Sequence, residues 1–438
     1  MNRSFLAFLT PLALLGCSGD DSTTDTGETD TDTDTDTDTD TDTDGTTIVD
    51  LASADPNLST LVDAVVTAGL AETLSGDGPF TVFAPTNAAF DALGVDLSTL
   101  SVDELTAILL YHVVDGEVPS TAIPDRANST SGLTLFFDTS AGVAVNGANV
   151  TTADIDASNG IIHVVDGVLL PPTLLDAVGY AGLTELGGAV GAADPAVATL
   201  LAGPGPYTVF APDNAAFAAI EDVTAGLTTE QLTDVLSYHV YPGTVTSSAV
   251  PAQANSILVN PWGNGVTALF DTTAGVVVNG GSTVTAADII TTNGVVHVVD
   301  AVLLPPTVVD LAVNAGLTEL VGAIGAADGD LGTVLSGAGP FTVFAPTNEA
   351  FTAIADVTAT LTPAQLESVL LYHVVGGAAP VLSTDLANGE VPTLLGPPVT
   401  VNVDGGVTIE GASVVLADVN GTNGVVHVID QVLLPPAN

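Results

Sequence analysis

Every histidine of this 438-residue chain falls in one of two repeated settings. Three follow a tyrosine, as Tyr111-His112, Tyr238-His239 and Tyr372-His373, and three sit in an Asn-Gly-led apolar run, at His163, His297 and His427. Imidazole in repeated pairs could ligate a metal or act as a base. Such chemistry would couple His112 with His163, His239 with His297, and His373 with His427. The spacings within these pairs are long and unequal, no local two-histidine ligand pattern exists, and the chain has no lysine to serve as a base. His163 alternates with Ile161 and Val165, which puts it on an apolar strand face, where a histidine is expected to be a hydrogen-bonded core group. Threefold repetition favours that reading, because a fold repeats its structural polar groups in every copy while an active site need exist only once.

No nucleophile elbow, Ser-x-x-Lys, His-Glu-x-x-His or phosphate-cradling Gly-Lys-Ser/Thr appears. Acidic neighbours such as Asp103-Glu104 open a helix, where carboxylates suit the dipole. Nothing singles out a carboxylate pair for hydrolysis, so no catalytic residue, metal ligand or cofactor is assigned and the chain is not expected to be an enzyme. Trp262, the single tryptophan, is expected to anchor a loop, with sugar stacking as the alternative.

The elements that carry these residues repeat with a period near 130 residues. Ser158-Asn159-Gly160, Thr292-Asn293-Gly294 and Thr422-Asn423-Gly424 each introduce a β-branched run closed by Val-Leu-Leu-Pro-Pro. Asn-Gly is expected to supply two positive-φ positions of a hairpin turn, and Pro-Pro ends the strand. Upstream in each unit, Thr-Val-Phe-Ala-Pro reads as a strand halted by proline, with Thr86, Asp213 and Thr347 capping a helix that carries Asn-x-Ala-Phe. Capping boxes at Ser101/Glu104, Thr228/Gln231 and Thr362/Gln365 start the helix that ends in Tyr-His. An Ala-Gly-Leu recurs at 68–70, 181–183 and 315–317, expected inside amphipathic helix at matching places. Helices first and strands afterwards give α+β.

Charge excludes whole classes of partner. Two basic residues, Arg3 and Arg126, stand against 52 carboxylates, a net charge of −50. Nucleic acid and anionic membrane surfaces are therefore excluded as partners. The carboxylates must be solvated, hydrogen-bonded or matched by counterions, which suggests adaptation to salty surroundings.

Residues 1–16 are expected to form a signal peptide too short to span a bilayer, and Leu14-Leu15-Gly16-Cys17 resembles a bacterial lipobox with the only cysteine of the chain as the expected lipidated residue. Residues 17–45 are expected to follow as a lipidated Cys17 and a disordered Thr-Asp tether. Asp40, Asp42, Asp44 and Gly45 begin like a calcium loop, but its twelfth position is Leu51, so weak calcium binding by loose carboxylates is all that stays open. Export with lipid anchoring, at the outer membrane or surface of a bacterium, is the expected location.

Thr-Val-Phe-Ala-Pro-Thr-Asn-x-Ala-Phe, the helix ending in Tyr-His-Val, and Asn-Gly-Val-Val-His-Val-Val-Asp-x-Val-Leu-Leu-Pro together closely resemble the fasciclin (FAS1) domain. The resemblance covers residues 46–172, 173–306 and 307–438 as three tandem domains. It implies a β-sandwich or wedge with packed helices and an extracytoplasmic adhesion role. It also implies candidate partner-binding positions at Tyr111, His112, Tyr238, His239, Tyr372 and His373, and at the Asp-Ile element, Asp154-Ile155 and Asp288-Ile289, which departs to Asp418-Val419 in the third unit. For the six Tyr-His residues and the three aspartates a structural role is expected. The implied partners are a cell-surface or matrix protein or a polysaccharide, with self-association also open. Family partners recognised through basic patches do not suit this chain.

Overall fold

The computed structural model describes residues 45–436. The signal peptide, Cys17 and the Thr-Asp tether up to Asp44 lie outside the described residues. Among the described residues no helix is long and apolar enough to cross a membrane.

Each unit opens with helices and closes with strands. In the first, the strands are β1 (Phe80–Pro85), β2 (Val113–Asp115), β3 (Arg126–Asn128), β4 (Thr134–Asp138), β5 (Ala144–Val145), β6 (Ala148–Ala157) and β7 (Gly160–Val165). They form one sheet in the order β2-β1-β7-β6-β5-β4-β3, and the second and third units repeat that order. Only β1 and β7 run parallel, with Phe83 opposite His163, so the first and last strands of a unit lie side by side, second and third from the β2 edge.

Alternation along the central strands divides the core in two. Val82 and Ala84 face a cluster with Ile48, Leu61, Phe90 and Leu109, which lies under the helices. Phe83 faces a second cluster with Tyr111, Leu135, Val145 and Leu169, enclosed where the far strands fold back. The expected wedge is thus made by one curled sheet, with helices on its outer face.

All three capping boxes form as the spacing requires, with both reciprocal hydrogen bonds present. Thr86, Asp213 and Thr347 cap the Asn-x-Ala-Phe helices through Ala89, Ala216 and Ala350 at 3.2, 2.7 and 3.2 Å.

Two expectations are corrected. First, the asparagine of each Asn-Gly turn does not take positive φ; Asn159, Asn293 and Asn423 instead use their side chains to fasten helices. Asn293 Oδ1 accepts from Leu174 N at 2.8 Å, and its Nδ2 donates to Leu201 O and Gly203 O at 2.9 and 2.7 Å. The glycine is required by close approach: a Cβ on Gly160, Gly294 or Gly424 would lie 1.9, 2.0 or 2.2 Å from the carbonyl oxygen of Phe80, Tyr207 or Phe341. Second, Ala-Gly-Leu ends helices rather than lying within them. Gly69, Gly182 and Gly316 have φ of 71°, 69° and 67°, and the following leucine N–H reaches back to Val65, Val178 or Ala312 O at 3.0, 3.1 and 3.0 Å, a Schellman motif. In the first unit this follows the second long helix, Ser59–Thr67, whereas in the others it follows Leu174–Tyr180 and Val308–Asn314. The three copies are therefore not equivalent positions.

Candidate functional site

The Tyr-His pairs close the helices Val102–Tyr111, Thr229–Tyr238 and Pro363–Tyr372 and are buried. His112 sits at the C-cap, where Leu169 N–H donates to its Nε2 at 2.9 Å. The proton must then be on Nδ1, which donates to Ile108 O at 2.8 Å. His239 does the same with Leu303 N (2.9 Å) and Val235 O (2.7 Å), and His373 with Leu433 N and Val369 O (both 2.8 Å). Burial pushes all three imidazoles down to about 4, so they are neutral. Each thereby ties its helix to the middle of the Val-Leu-Leu-Pro-Pro run that closes the unit.

Tyr111 donates its hydroxyl to Thr134 O at 2.7 Å and accepts from Asn146 Nδ2 at 2.6 Å. Tyr238 repeats this with Thr267 O and Asn279 Nδ2, both at 2.9 Å. Burial raises both phenols, which stay protonated. Tyr372 donates to Pro398 O at 3.0 Å, but Glu410 stands where the asparagine would be.

The strand histidines are equally committed. His163 stacks on Phe83 with ring centroids 5.4 Å apart; its Nδ1 accepts from Asp154 N at 3.2 Å and its Nε2 donates to Val118 O at 2.8 Å. His297 pairs likewise with Asp288 N and Val245 O, and His427 with Asp418 N and Val381 O. Burial pushes His297 and His427 down. Their Nδ1 atoms act as acceptors, so the 4.0 Å approaches to Asp288 and Asp418 are not ion pairs. His112 and His163 thus serve different partners, and both ring nitrogens of all six histidines are occupied. Among the described residues no three His, Cys, Asp or Glu side chains converge as metal ligands.

The Asp-Ile element splits between surface and core. Asp154, Asp288 and Asp418 adopt left-handed backbone, at φ of 54°, 58° and 58°. Each carboxylate accepts from a serine N–H, of Ser120, Ser247 or Ser383, at 2.8, 2.8 and 2.7 Å, and from the same serine's hydroxyl. The Ser120 hydroxyl, then its N–H, lowers Asp154. For Asp288 burial pulls upward, but the Ser247 bonds and the charge of Arg126 outweigh it. The next residue differs in exposure: Ile289 and Val419 are 1% and 2% exposed, while Ile155 is only partly buried.

The cause is a joint between successive domains. Ile290 N donates to Thr134 Oγ1 of the first domain at 2.9 Å, and Asn420 N donates to Thr267 Oγ1 of the second, also at 2.9 Å. Phe136 lies over Tyr180 with centroids 6.0 Å apart, beside an open cleft of about 580 Å³ lined by Arg126, Asp213 and Ile289. Asn260 Nδ2 reaches Gly421 O at 3.1 Å across the second joint. Next to it, Trp262 is half-buried, its backbone N–H held by Asn260 Oδ1 at 3.1 Å. Sequence reading missed these joint residues. The one available signal was a difference between repeats: Ile290 and Asn420 stand where the first unit has Asp156.

The comparisons agree with this architecture. The fasciclin domain model matches residues 56–171, 181–305 and 315–435. Protein sll1483 of Synechocystis sp. is 50% identical over 133 residues, 29% of this chain and 74% of that protein. Transforming growth factor-beta-induced protein ig-h3 of Sus scrofa is 29% identical over 395 residues; the match spans 83% of this chain but only 54% of the relative. Cell surface glycolipoprotein MPB83 of Mycobacterium bovis is 34% identical over 134 residues, 28% of this chain and 60% of its own. With three matches covering most of its length, the chain belongs to the fasciclin domain family, as three tandem FAS1 domains.

Proposed function

We propose that this is an exported adhesion protein, lipid-anchored through Cys17 at a bacterial surface, that holds a cell-surface or matrix partner through its tandem FAS1 domains. The observation that carries the reading is the threefold fasciclin architecture, in which every repeated histidine is committed to holding the domain together. Surface display is supported by the likeness to a cell surface glycolipoprotein. Three similar modules on one anchored chain raise the effective concentration of the second and third contact, so weak single contacts can hold. With lysine absent, recognition by basic patches is replaced by apolar and hydroxyl contacts or by divalent cations bridging carboxylates.

Beads coated with the full chain test this, scored for clumping and for retention on cell-surface material with and without calcium. Clumping or retention is the expected result, and inert beads in every condition would refute it. Cys17→Ser is expected to move the protein from the membrane fraction to the soluble one. A polysaccharide partner is the second reading, favoured by the half-exposed Trp262. Trp262→Ala should then lower glycan retention; unchanged retention removes that reading.

A further inference from the structure

Equivalent positions on the two sides of each joint can be followed from domain to domain through the strand register. On the leading side, Arg126 opposes Phe136, Gln253 opposes Leu269, and Glu390 opposes Thr400. Two residues before Phe136, Leu269 and Thr400 stand Thr134, Thr267 and Pro398, each the target of a Tyr-His tyrosine hydroxyl. Asn146, Asn279 and Glu410 share the positive-φ corner, at 46°, 51° and 49°. On the receiving side, Asp156, Ile290 and Asn420 are equivalent, opposite Ile161, Val295 and Val425.

The two internal joints use these positions alike. A threonine hydroxyl accepts a backbone N–H from the next domain. An apolar side chain, Phe136 or Leu269, belongs to the core cluster of the next domain and is 7% or 8% exposed. A donor side chain points forward as well. Gln253 Nε2 donates to Ala417 O at 3.4 Å, and the Arg126 charge lowers Asp288 across the first joint. At the outer end of the third domain every one of these groups is replaced. Proline removes the hydroxyl, Thr400 removes the apolar side chain and is exposed, and Glu390 and Glu410 put two carboxylates where Arg or Gln and Asn stood. At the outer end of the first domain, exposed Asp156 adds a third.

We infer that these two outer faces are end caps: the third domain carries the leading half of the joint with its coupling groups replaced, and the first carries the receiving half with an exposed carboxylate added at Asp156, so the three-domain stack is finite and a second copy of the chain cannot add to it head to tail. A heterologous joint that repeats along a chain continues into an open filament unless its ends are blocked, and repeat arrays meet that need with terminal units whose outer face is polar. Here a second copy would set Glu390 against the carboxylate of Asp154, where the internal joint sets Arg126 near Asp288. It would also bury Asp156 without a partner, at the cost attached to any desolvated charge.

The test grafts the second joint onto the ends. In the full chain carrying Cys17→Ser, to keep lipid from driving association, Asp156→Asn, Glu390→Gln, Pro398→Thr, Thr400→Leu and Glu410→Asn are combined. Sedimentation velocity should show the parent as one species of single-chain mass from low to high salt. The grafted chain should form concentration-dependent dimers and longer multiples. A parent that forms head-to-tail multiples, or a grafted chain that melts like the parent and stays single, overturns the inference. If the grafted chain fails to fold, the reciprocal variant decides. Thr267→Val with Leu269→Thr places the end-cap chemistry inside the second joint; it should enlarge the radius of gyration and speed proteolysis between residues 301 and 306. Parent-like values for both readouts overturn the inference.

Discussion

The buried Tyr-His imidazoles make a quantitative prediction about acid. His112, His239 and His373 are held near 4 in the folded chain against 6.5 for the free side chain, with burial as the cause. A histidine whose folded value is depressed stabilises the fold above 6.5 and loses that contribution as pH falls towards 4, because the unfolded chain takes the proton first. At pH 5 each imidazole therefore costs its domain ~2 kcal/mol relative to pH 7.5, at 1.36 kcal/mol per unit over roughly 1.5 units. For a domain of this size that is a fall in melting temperature of ~6 °C. The hydrogen-bonded carboxylates act in the same direction but lower down, since Asp50, Asp154 and Glu104 start from 3.8 to 4.5 and are lowered further. Thermal melts followed by circular dichroism between pH 7.5 and 5.0 read the histidine window. The companion variant carries His112→Gln, His239→Gln and His373→Gln; glutamine can donate to one carbonyl and accept from one N–H but does not titrate. It should melt lower at pH 7.5 and lose the larger part of the pH slope. Superimposable melts of the parent across the range, or an undiminished slope in the variant, would refute the reasoning.

Three further outcomes follow from the same contacts. Asn293→Ala should destabilise the second domain by ~3 kcal/mol, since one buried N–H and two carbonyls lose their partner at once, and denaturant melts would show it as a lower midpoint. Gly294→Ala should prevent the second domain from folding, because its Cβ would fall 2.0 Å from Tyr207 O; retention of the parent's near-ultraviolet circular dichroism would contradict the close approach. Added sodium chloride should raise the melting temperature from low ionic strength, as screening relieves repulsion in a chain of net charge −50; a flat or falling curve would remove the case for salt adaptation.

Much of the fold was legible because its signals are local. Capping boxes need only residues three apart, and a strand histidine between Ile161 and Val165 declares its face by alternation. What failed to show did so for a physical reason. Asn-Gly has a strong turn preference, yet the amide of Asn159 finds Ile48 N and the carbonyls of Leu74 and Gly76, partners 83 or more residues away that no window around the turn contains. Ala-Gly-Leu looked like one repeated feature, but a glycine C-cap suits the end of any helix, so identical tripeptides landed at different helix ends. The joints were invisible in any single repeat. Thr134 and Phe136 look like ordinary strand residues until the next domain's Ile290 and Tyr180 are placed against them.

The acidity of the chain and the way it is held together are connected. A protein with one cation among its described residues cannot use ion pairs to fix helices or domains, so its carboxylates serve as hydrogen-bond acceptors for backbone N–H groups instead. Asp50, Asp176 and Asp310 close the boxes at the first helix of each domain, Asp213 caps the Asn-x-Ala-Phe helix of the second, and Asp154, Asp288 and Asp418 each hold a serine. These bonds are short-ranged and need no counter-charge, so salt that screens the repulsion between carboxylates leaves them in place. The joints follow the same rule with hydroxyl, amide and apolar contacts, and the single described cation, Arg126, lies at the first of them, where its field reaches Asp288. High negative charge then acts between separate molecules while the neutral contacts keep the three domains of one molecule together.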